Sequence, residues 1–459
     1  MMRIFARIAR LTLLFASSAL CDDRPPQPIA PCANAPCVYP SSVNAPLRMR
    51  IGGGNLVTHT PGAPSAPMYA ALRGVGATLG RMDSYGWRTL DRKPTPTDFD
   101  AAMREAYEHG ITPVILLEYE GSYQFLDPPQ PIGSYEDWFA AGVAYAKRFQ
   151  PGGDWAKANH VTGWGVTIFT AINEPDVQAT IPRDDYRRAL EGLADGVHRV
   201  DPNLKVVPGG FATCNSQGDA TLRGYGPAIA PLLKDGRLDG IDLHTYYNFR
   251  WYPLTKGRQF SAQGCFDRVK KAMSVERDIN FYATEYNISK SEGWARADIA
   301  ARLFLTAFWD EMSVVHADGR SSATVFAMPW NLADTGKIEG PSYAMATAAD
   351  PWRPEARAIV LRNALQLAGS MHFTSIDHQK GLLTLEGPSG QLFVWHDLEG
   401  WTDAPGSAWT IRLPSWAVTA ELWGWDGRRR SVSVTGGAHR FAELQPGETY
   451  MAYVPRPKP

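Results

Sequence analysis

The sequence predicts a (β/α)8 barrel followed by a small all-β region, on three observations. Eight short strand-like apolar runs alternate with amphipathic helical runs between residues 47 and 370, the unit count and length of such a barrel. Proline and capping residues punctuate the helix starts, as in "TPTDFD", "SYEDWF" and "PRDDY". From residue 371 the helical periodicity stops, and short alternating runs separated by turn residues take over.

The strands are read in LRMRIGG (47–53), ATLGRMD (77–83), TPVILLEY (112–119), GVTIFTAIN (165–173), LKVVPGG (204–210), GIDLHTYY (240–247), NFYATEY (280–286) and ATVFAMPW (323–330). Helices over 97–109, 135–149, 183–199, 262–276 and 296–313 fall between them, and one over 353–368 follows the eighth strand. A doubly wound open sheet is the alternative for such alternation. The "GGGN" at 52–55 invites a dinucleotide site, but it lacks the G-x-G-x-x-G spacing and an acidic residue about 20 positions on. The runs GLLTLEG, QLFVWHD, WTIRLP, AVTAELWGW, SVSVTGG and YMAYVP then read as a small β-sandwich over 371–459.

Composition is that of a globular protein, with 44% hydrophobic and 20% charged residues. A formal net charge of -1 gives no reason to expect a nucleic-acid or polyanion partner. No His or Cys spacing resembles a metal site, and no cofactor is expected. The 15 Trp serve a large core and also supply the stacking platforms that sugar-binding clefts use.

Residues 1–20 read as an export signal: Arg3, Arg7 and Arg10 precede "LTLLFASSAL", an apolar run too short to span a bilayer. Ser17 and Ala19 offer a peptidase site, and no integral membrane segment is expected in the mature chain. Cys21 opens the alternative of a lipid anchor, against which Leu20 is large for the preceding position. The expected location is the periplasm or the outside of the cell. Residues 21–46 form a Pro-rich linker.

Export makes disulfides the reading for Cys32, Cys37, Cys214 and Cys265, with three pairings formally possible. The predicted barrel puts Cys214 after the fifth strand and Cys265 after the sixth, on adjacent loops. A Cys214–Cys265 bridge is therefore expected, leaving Cys32 with Cys37.

Chemistry is read from the strand ends, because barrels of this kind place their active sites at the carboxyl ends of the strands. The fourth strand runs into "AINEPD", so that Asn173 and Glu174 precede a proline that cannot continue the ladder. The seventh ends at Glu285 in "ATEYN". Period two places Thr170, Ile172 and Glu174 on one face of the fourth strand, and Phe281, Ala283 and Glu285 on one face of the seventh. With those faces inward, two carboxylates converge at the barrel mouth. Glycosidic bond cleavage needs such a pair, one protonated to assist the leaving oxygen and one ionised to attack the anomeric carbon. Asp83, Glu118, Glu120 and Asp176 are nearby acids for which loop or structural roles are expected.

An Asn-Glu-Pro at the fourth strand with a Glu at the seventh resembles clan A of the glycoside hydrolases, retaining (β/α)8 enzymes with two catalytic glutamates. The resemblance implies that Glu174 is the acid/base, Glu285 the nucleophile, and Asn173 the amide contacting the sugar 2-hydroxyl. Arg81 resembles the clan's arginine near the nucleophile. His244 and Tyr246 in "DLHTYY" resemble the strand 6 pair, and Trp330 in "MPWN" the strand 8 aromatic under the sugar. The likeness covers residues of about 47 to 370. Within the clan, the exported chain with a short C-terminal β region is most similar to family 39 and its relatives, among them β-xylosidases, iduronidases and exopolysaccharide endoglycosidases. The expected substrate is a polysaccharide or oligosaccharide, and the aromatics of "YYNFRWYPL" after the sixth strand suggest an extended sugar surface. A transglycosylase using the same residues, and an inactive carbohydrate-binding protein on the same scaffold, are the rival readings.

Overall fold

The computed structural model describes residues 43–53, 66–85, 87–88, 93–118, 132–178, 181–214, 218–246, 261–288, 297–330, 333–334, 345–347, 353–377, 381–396, 408–445 and 448–457. The expected export signal over residues 1–20, Cys21, Cys32, Cys37, Glu120 and the aromatic run 247–254 lie outside them.

Strands β1 (Leu79–Tyr85), β2 (Thr112–Glu118), β3 (Ile168–Ala171) and β4 (Lys205–Pro208) pair in that order as a parallel sheet. Strands β5 (Gly240–Asp242), β6 (Thr245–Tyr246), β7 (Asn280–Asn287) and β8 (Thr324–Pro329) form a second parallel sheet, with β7 central. Isolated parallel bridges, Ile51 to Ala327 and Phe211 to Leu243, join the two sheets. The parallel α/β architecture is thus as predicted, but the ladder is not continuous around a closed barrel.

Closure falls short between β4 and β5 and at the first predicted strand. Leu47–Arg50 is a 3-10 turn, and only Ile51 of that run bridges to a neighbour. Its buried residues, Leu47 and Arg50, are three apart, the spacing of a helical turn and not of a strand. Both Arg50 contacts that matter here, to Thr324 and Val325 carbonyls, are made from that turn.

Helices α1 (Ala66–Val75), α2 (Asp100–Glu108), α3 (Tyr135–Phe149), α4 (Arg183–Val200), α5 (Tyr225–Lys234), α6 (Ala262–Ala272), α7 (Ala297–Met312) and α8 (Ala356–Ala368) connect and flank the strands. The start of α3 shows why the sequence signal was legible. Ser134 Oγ accepts the Asp137 N–H at 3.2 Å and Asp137 returns the bond to the Ser134 N–H at 2.8 Å, a reciprocal cap. Between the strands, Leu79, Val114, Ile168, Val207, Tyr282 and Phe326 fill an apolar interior below the strand ends.

After α8 the chain is antiparallel. Strands β9 (His372–Asp377), β10 (Leu382–Gly387), β11 (Gly390–Trp395), β12 (Trp409–Leu413), β13 (Thr419–Trp423), β14 (Arg429–Ser433), β15 (Gly437–Phe441) and β16 (Tyr450–Pro455) follow. Six of them form a sheet in the order β9-β10-β11-β16-β13-β14, and β12 pairs with β15 as a ribbon. Trp409, Ile411 and Phe441 of the ribbon pack on Phe393, Ala420 and Ala452 of the sheet. On its other face, Leu383, Leu385, Leu392 and Val394 join the main core. Thr306 of α7 and Thr449 are hydrogen-bonded at 2.8 Å. Strands β9 and β15 carry little buried alternation, with a single buried residue each, and sequence periodicity does not reveal them.

Candidate active site

The predicted site residues come together at the carboxyl ends of the strands. Arg81 of β1 is fully buried, and its Nη2 lies 2.6 Å from Glu285 Oε1. Its Nη1 is 3.4 Å from both Asn173 Oδ1 and Thr284 Oγ1. Tyr246 donates its hydroxyl to Glu285 Oε2 at 2.6 Å. His244 Nδ1 is 2.8 Å from Glu174 Oε1 and 3.6 Å from Glu285 Oε2. Trp330, directly after β8, meets Tyr246 edge to face with ring centroids 6.4 Å apart. Its backbone N–H donates to the Tyr286 carbonyl at 3.0 Å.

The two glutamates differ in surroundings. The Glu285 side chain is 7% exposed, whereas that of Glu174 is 22% exposed and reaches toward solvent. Burial pushes the Glu285 carboxyl up, but the His244 charge, the Arg81 guanidinium and the Tyr246 hydrogen bond outweigh it and hold it below the ordinary value. Burial pushes His244 down, and the charges of Glu285, Glu174 and Asp242 overcome this to raise it to about 9. Tyr246 is pushed well above its ordinary value by burial and by Glu285. At neutral pH the cluster therefore holds Glu285 ionised beside two cations.

The route by which Glu174 reaches the site departs from the sequence expectation. Strand β3 ends at Ala171, and Ile172 and Glu174 have φ of 63° and 45°, so strand periodicity does not extend from Thr170 to Glu174. Such angles are rare for residues with a Cβ, Ile172 being β-branched. Pro175 begins a short helical turn, Pro175–Gln178, instead of directly terminating the strand. The Glu174 N–H donates to the Gly210 carbonyl at 2.9 Å, which holds the reversal.

The face assignment of the seventh strand also shifts by one residue. Phe281 and Ala283 sit in the core shared with the helices, while Tyr282 belongs to the strand interior and Thr284 contacts Arg81. Thr284 and Glu285 are consecutive and both face the site. The pairing of β7 with β8 slips between Ala283 and Tyr286, and this irregularity turns Glu285 inward despite the alternation.

The neighbouring acids take structural parts. Buried Glu118 accepts the Asn173 N–H at 2.8 Å, setting the backbone beside the acid/base candidate. Buried Asp176 accepts the Ala212 and Thr213 N–H groups at 3.1 and 2.8 Å, tying the turn after Glu174 to the loop after β4. That loop continues into Cys214, which is bridged to Cys265 with Cα atoms 5.5 Å apart, as expected from the topology. The side chain of Asp83 lies outside the described positions.

Sequence reasoning missed three participants. Gly210 lies against the His244 ring, and a Cβ there would stand 1.8 Å from Nε2. At Gly209 a Cβ would meet the Ile172 carbonyl at 1.9 Å. The paired glycines of "VVPGG" are the signal that a close backbone approach follows that strand. The third is Thr284, whose hydroxyl meets both Arg81 and His244.

A carboxylate oxygen from each of Glu174 and Glu285 and a ring nitrogen of His244 lie within 4.8 Å of one another, close enough to span a divalent ion. The Arg81 guanidinium on Glu285 and the raised His244 favour proton handling there instead. No helix among the described residues is long and apolar enough to cross a membrane.

No protein-family model matches the sequence, and no curated protein does. Solved structures do match, and they are glycoside hydrolases of clan A. A family 39 glycoside hydrolase from the gut symbiont Bacteroides cellulosilyticus WH2 is 15% identical, with a TM-score of 0.56, over 92% of this chain and 83% of that one. A glucosidase from Croceicoccus marinus is 12% identical, with a TM-score of 0.61, over 92% and 98%. The catalytic domain of GH30 xylanase C from Talaromyces cellulolyticus is 11% identical, with a TM-score of 0.55, over 92% and 99%. At such identities the likeness is one of fold, and it spans both the parallel and the antiparallel regions.

Proposed function

We propose that the protein is an exported retaining glycoside hydrolase acting on a polysaccharide or oligosaccharide. The observation that carries this reading is the pairing of a buried, Arg81-bound Glu285 with a more exposed, His244-bound Glu174, with an oxygen of each inside a 4.8 Å cluster. Direct attack needs carboxyl groups about 5 to 5.5 Å apart, whereas an inverting pair needs room for water at about 6.5 Å or more.

In this mechanism Glu285 attacks the anomeric carbon while Glu174 gives a proton to the departing oxygen. The nucleophile's charge is then consumed in the covalent glycosyl bond. Glu174, now a carboxylate, takes a proton from water as the water displaces Glu285. Arg81 and Tyr246 hold the two Glu285 oxygens, which aims the carboxylate and keeps it ionised. Asn173 meets the sugar 2-hydroxyl, and Trp330 lies under the ring.

A panel of glycans digested with sizing of products, beside a Glu285→Gln control, tests the activity. Proton NMR of the first-formed product should show the anomer of the substrate, and the first product of the opposite anomer would overturn retention. Glu174→Gln should spare the first step on activated aryl glycosides and lose unactivated ones. Equal losses on both would remove Glu174 from the acid role.

A further inference from the structure

Behind His244 lies a buried pair that the two-glutamate mechanism leaves without a task. His244 Nε2 is 2.9 Å from Thr284 Oγ1, and the Thr284 hydroxyl donates to Asp242 Oδ2 at 2.6 Å. The other oxygen, Asp242 Oδ1, accepts the Thr284 N–H at 2.9 Å. Asp242 at the end of β5, Thr284 on β7 and His244 between β5 and β6 are all buried.

The donor directions follow from the chemistry of each group. An ionised carboxylate only accepts, so the Thr284 hydrogen is committed to Asp242 and a lone pair faces Nε2. Nε2 must then be the protonated nitrogen. Nδ1 is left facing Glu174 Oε1 at 2.8 Å. Gly210 lies against the ring, where a Cβ would stand 1.8 Å from Nε2.

We propose that Asp242 and Thr284 are positioning residues that lock His244 with a permanent proton on Nε2, making Nδ1 and Glu174 a couple that shares the one exchangeable proton of the acid/base step. The inference rests on the hydrolase reading for its catalytic consequence. In the first half-reaction the couple gives its proton to the leaving oxygen as the glycosidic bond breaks and the Glu285–carbon bond forms. In the second, water bonds to the anomeric carbon, the Glu285–carbon bond breaks, and the water proton restores the couple.

The charged groups that act on His244 are Glu174 after β3, Glu285 on β7 and Asp242 on β5, while Tyr246 on β6 binds Glu285 and Arg81 on β1 binds Glu285 and Thr284. The carboxylates raise the imidazole to about 9. Burial pushes Asp242 up, opposed by the His244 charge, the two Thr284 bonds and Arg81.

The test reads the imidazole directly. Histidine-15N-labelled protein is titrated by two-bond NMR, with His244→Gln identifying the signal. Nδ1 should lose its proton near pH 9 while Nε2 keeps its own. Thr284→Val should give mixed tautomers, and Asp242→Asn should lower the midpoint by about one unit or more. Thr284→Ser should restore the wild-type pattern. On an unactivated glycan, Thr284→Val and Asp242→Asn should lower kcat by about tenfold or more, with KM little changed.

Wild-type tautomer and midpoint in both folded variants would overturn the proposal, as would a Thr284→Ser protein as disturbed as Thr284→Val. Either of the two variants decides the point if circular dichroism shows the other unfolded. A wild-type protein that cleaves no glycan would sink the hydrolase reading, and the NMR titration would still judge the relay.

Discussion

Arg81 and Glu285, from β1 and β7, form a buried ion pair at 2.6 Å, and among the described residues of the site no other pair joins a full cation to a carboxylate so closely. Removing one partner of such a pair strands the other, at a cost of about 3 to 5 kcal/mol. Arg81→Met should therefore lift the Glu285 carboxyl, and the acid limb of the kcat/KM profile should move up by about 1 to 2 pH units. Arg81→Lys should restore little, because an ammonium cannot keep the Glu285 bond and also reach Asn173 and Thr284 from a fixed plane. An unmoved acid limb in Arg81→Met would show that Glu285 does not depend on it.

The site also sets a pH window for stability. Glu285 is depressed on folding, so its contribution is present above the ordinary carboxylate value of 4.5 and fades as pH falls through its lowered value. His244 is raised from 6.5 to about 9, so its contribution is full below 6.5 and is lost as pH rises through 9. Stability should be highest between about pH 4.5 and 6.5 as far as these two groups decide it. Across the alkaline limb the His244 share amounts to about 3 kcal/mol at most. Denaturant melts at pH 6 and pH 9.5 should show the fall, and His244→Gln should flatten it.

Gly210→Ala tests the packing behind the imidazole. The added Cβ would stand 1.8 Å from Nε2, so the ring must move off Thr284 and Glu174. The expected result is loss of activity by about 100-fold or more in protein that still folds. Near-wild-type turnover would mean the ring position is unimportant.

The Cys214–Cys265 bridge closes a separation of 51 residues, worth about 4 kcal/mol on the chain-entropy model, less any native strain. The paired Cys214→Ser and Cys265→Ser protein should melt lower by several degrees. Its kcat should fall more than its KM rises, because the bridge adjoins the loop that Asp176 ties to the turn after Glu174. Unchanged melting would show that the bridge is absent in the protein.

Much of this was legible in the sequence because the signals were local. The capping box of α3, the alternation of β10 and β12, and the polar residues that follow β3 and close β7 each need only a few neighbouring positions to be read. What escaped depends on partners far along the chain. Glu285 faces the site because β8 pairs with β7 through a slipped register, and nothing in "NFYATEYN" announces that slip. Thr284 matters because Asp242, 42 positions away, and His244, 40 away, converge on its hydroxyl. Leu47–Arg50 looked like a strand because Leu47, Met49 and Ile51 alternate with Arg48 and Arg50, and its burial at a three-residue interval appears only when the core is assembled.

The left-handed backbone at Ile172 and Glu174 has an evolutionary consequence. Glycine or asparagine is more comfortable at such angles, so at the more exposed 174 such a replacement should be stabilising. At 172 the loss of a fully buried side chain outweighs that relief and keeps isoleucine in place. At 174 the replacement would remove the carboxylate itself. A library enriched for heat resistance alone should thus accumulate replacements at 174 and fall silent as a catalyst, whereas one enriched for turnover should keep glutamate at an angle that suits it poorly.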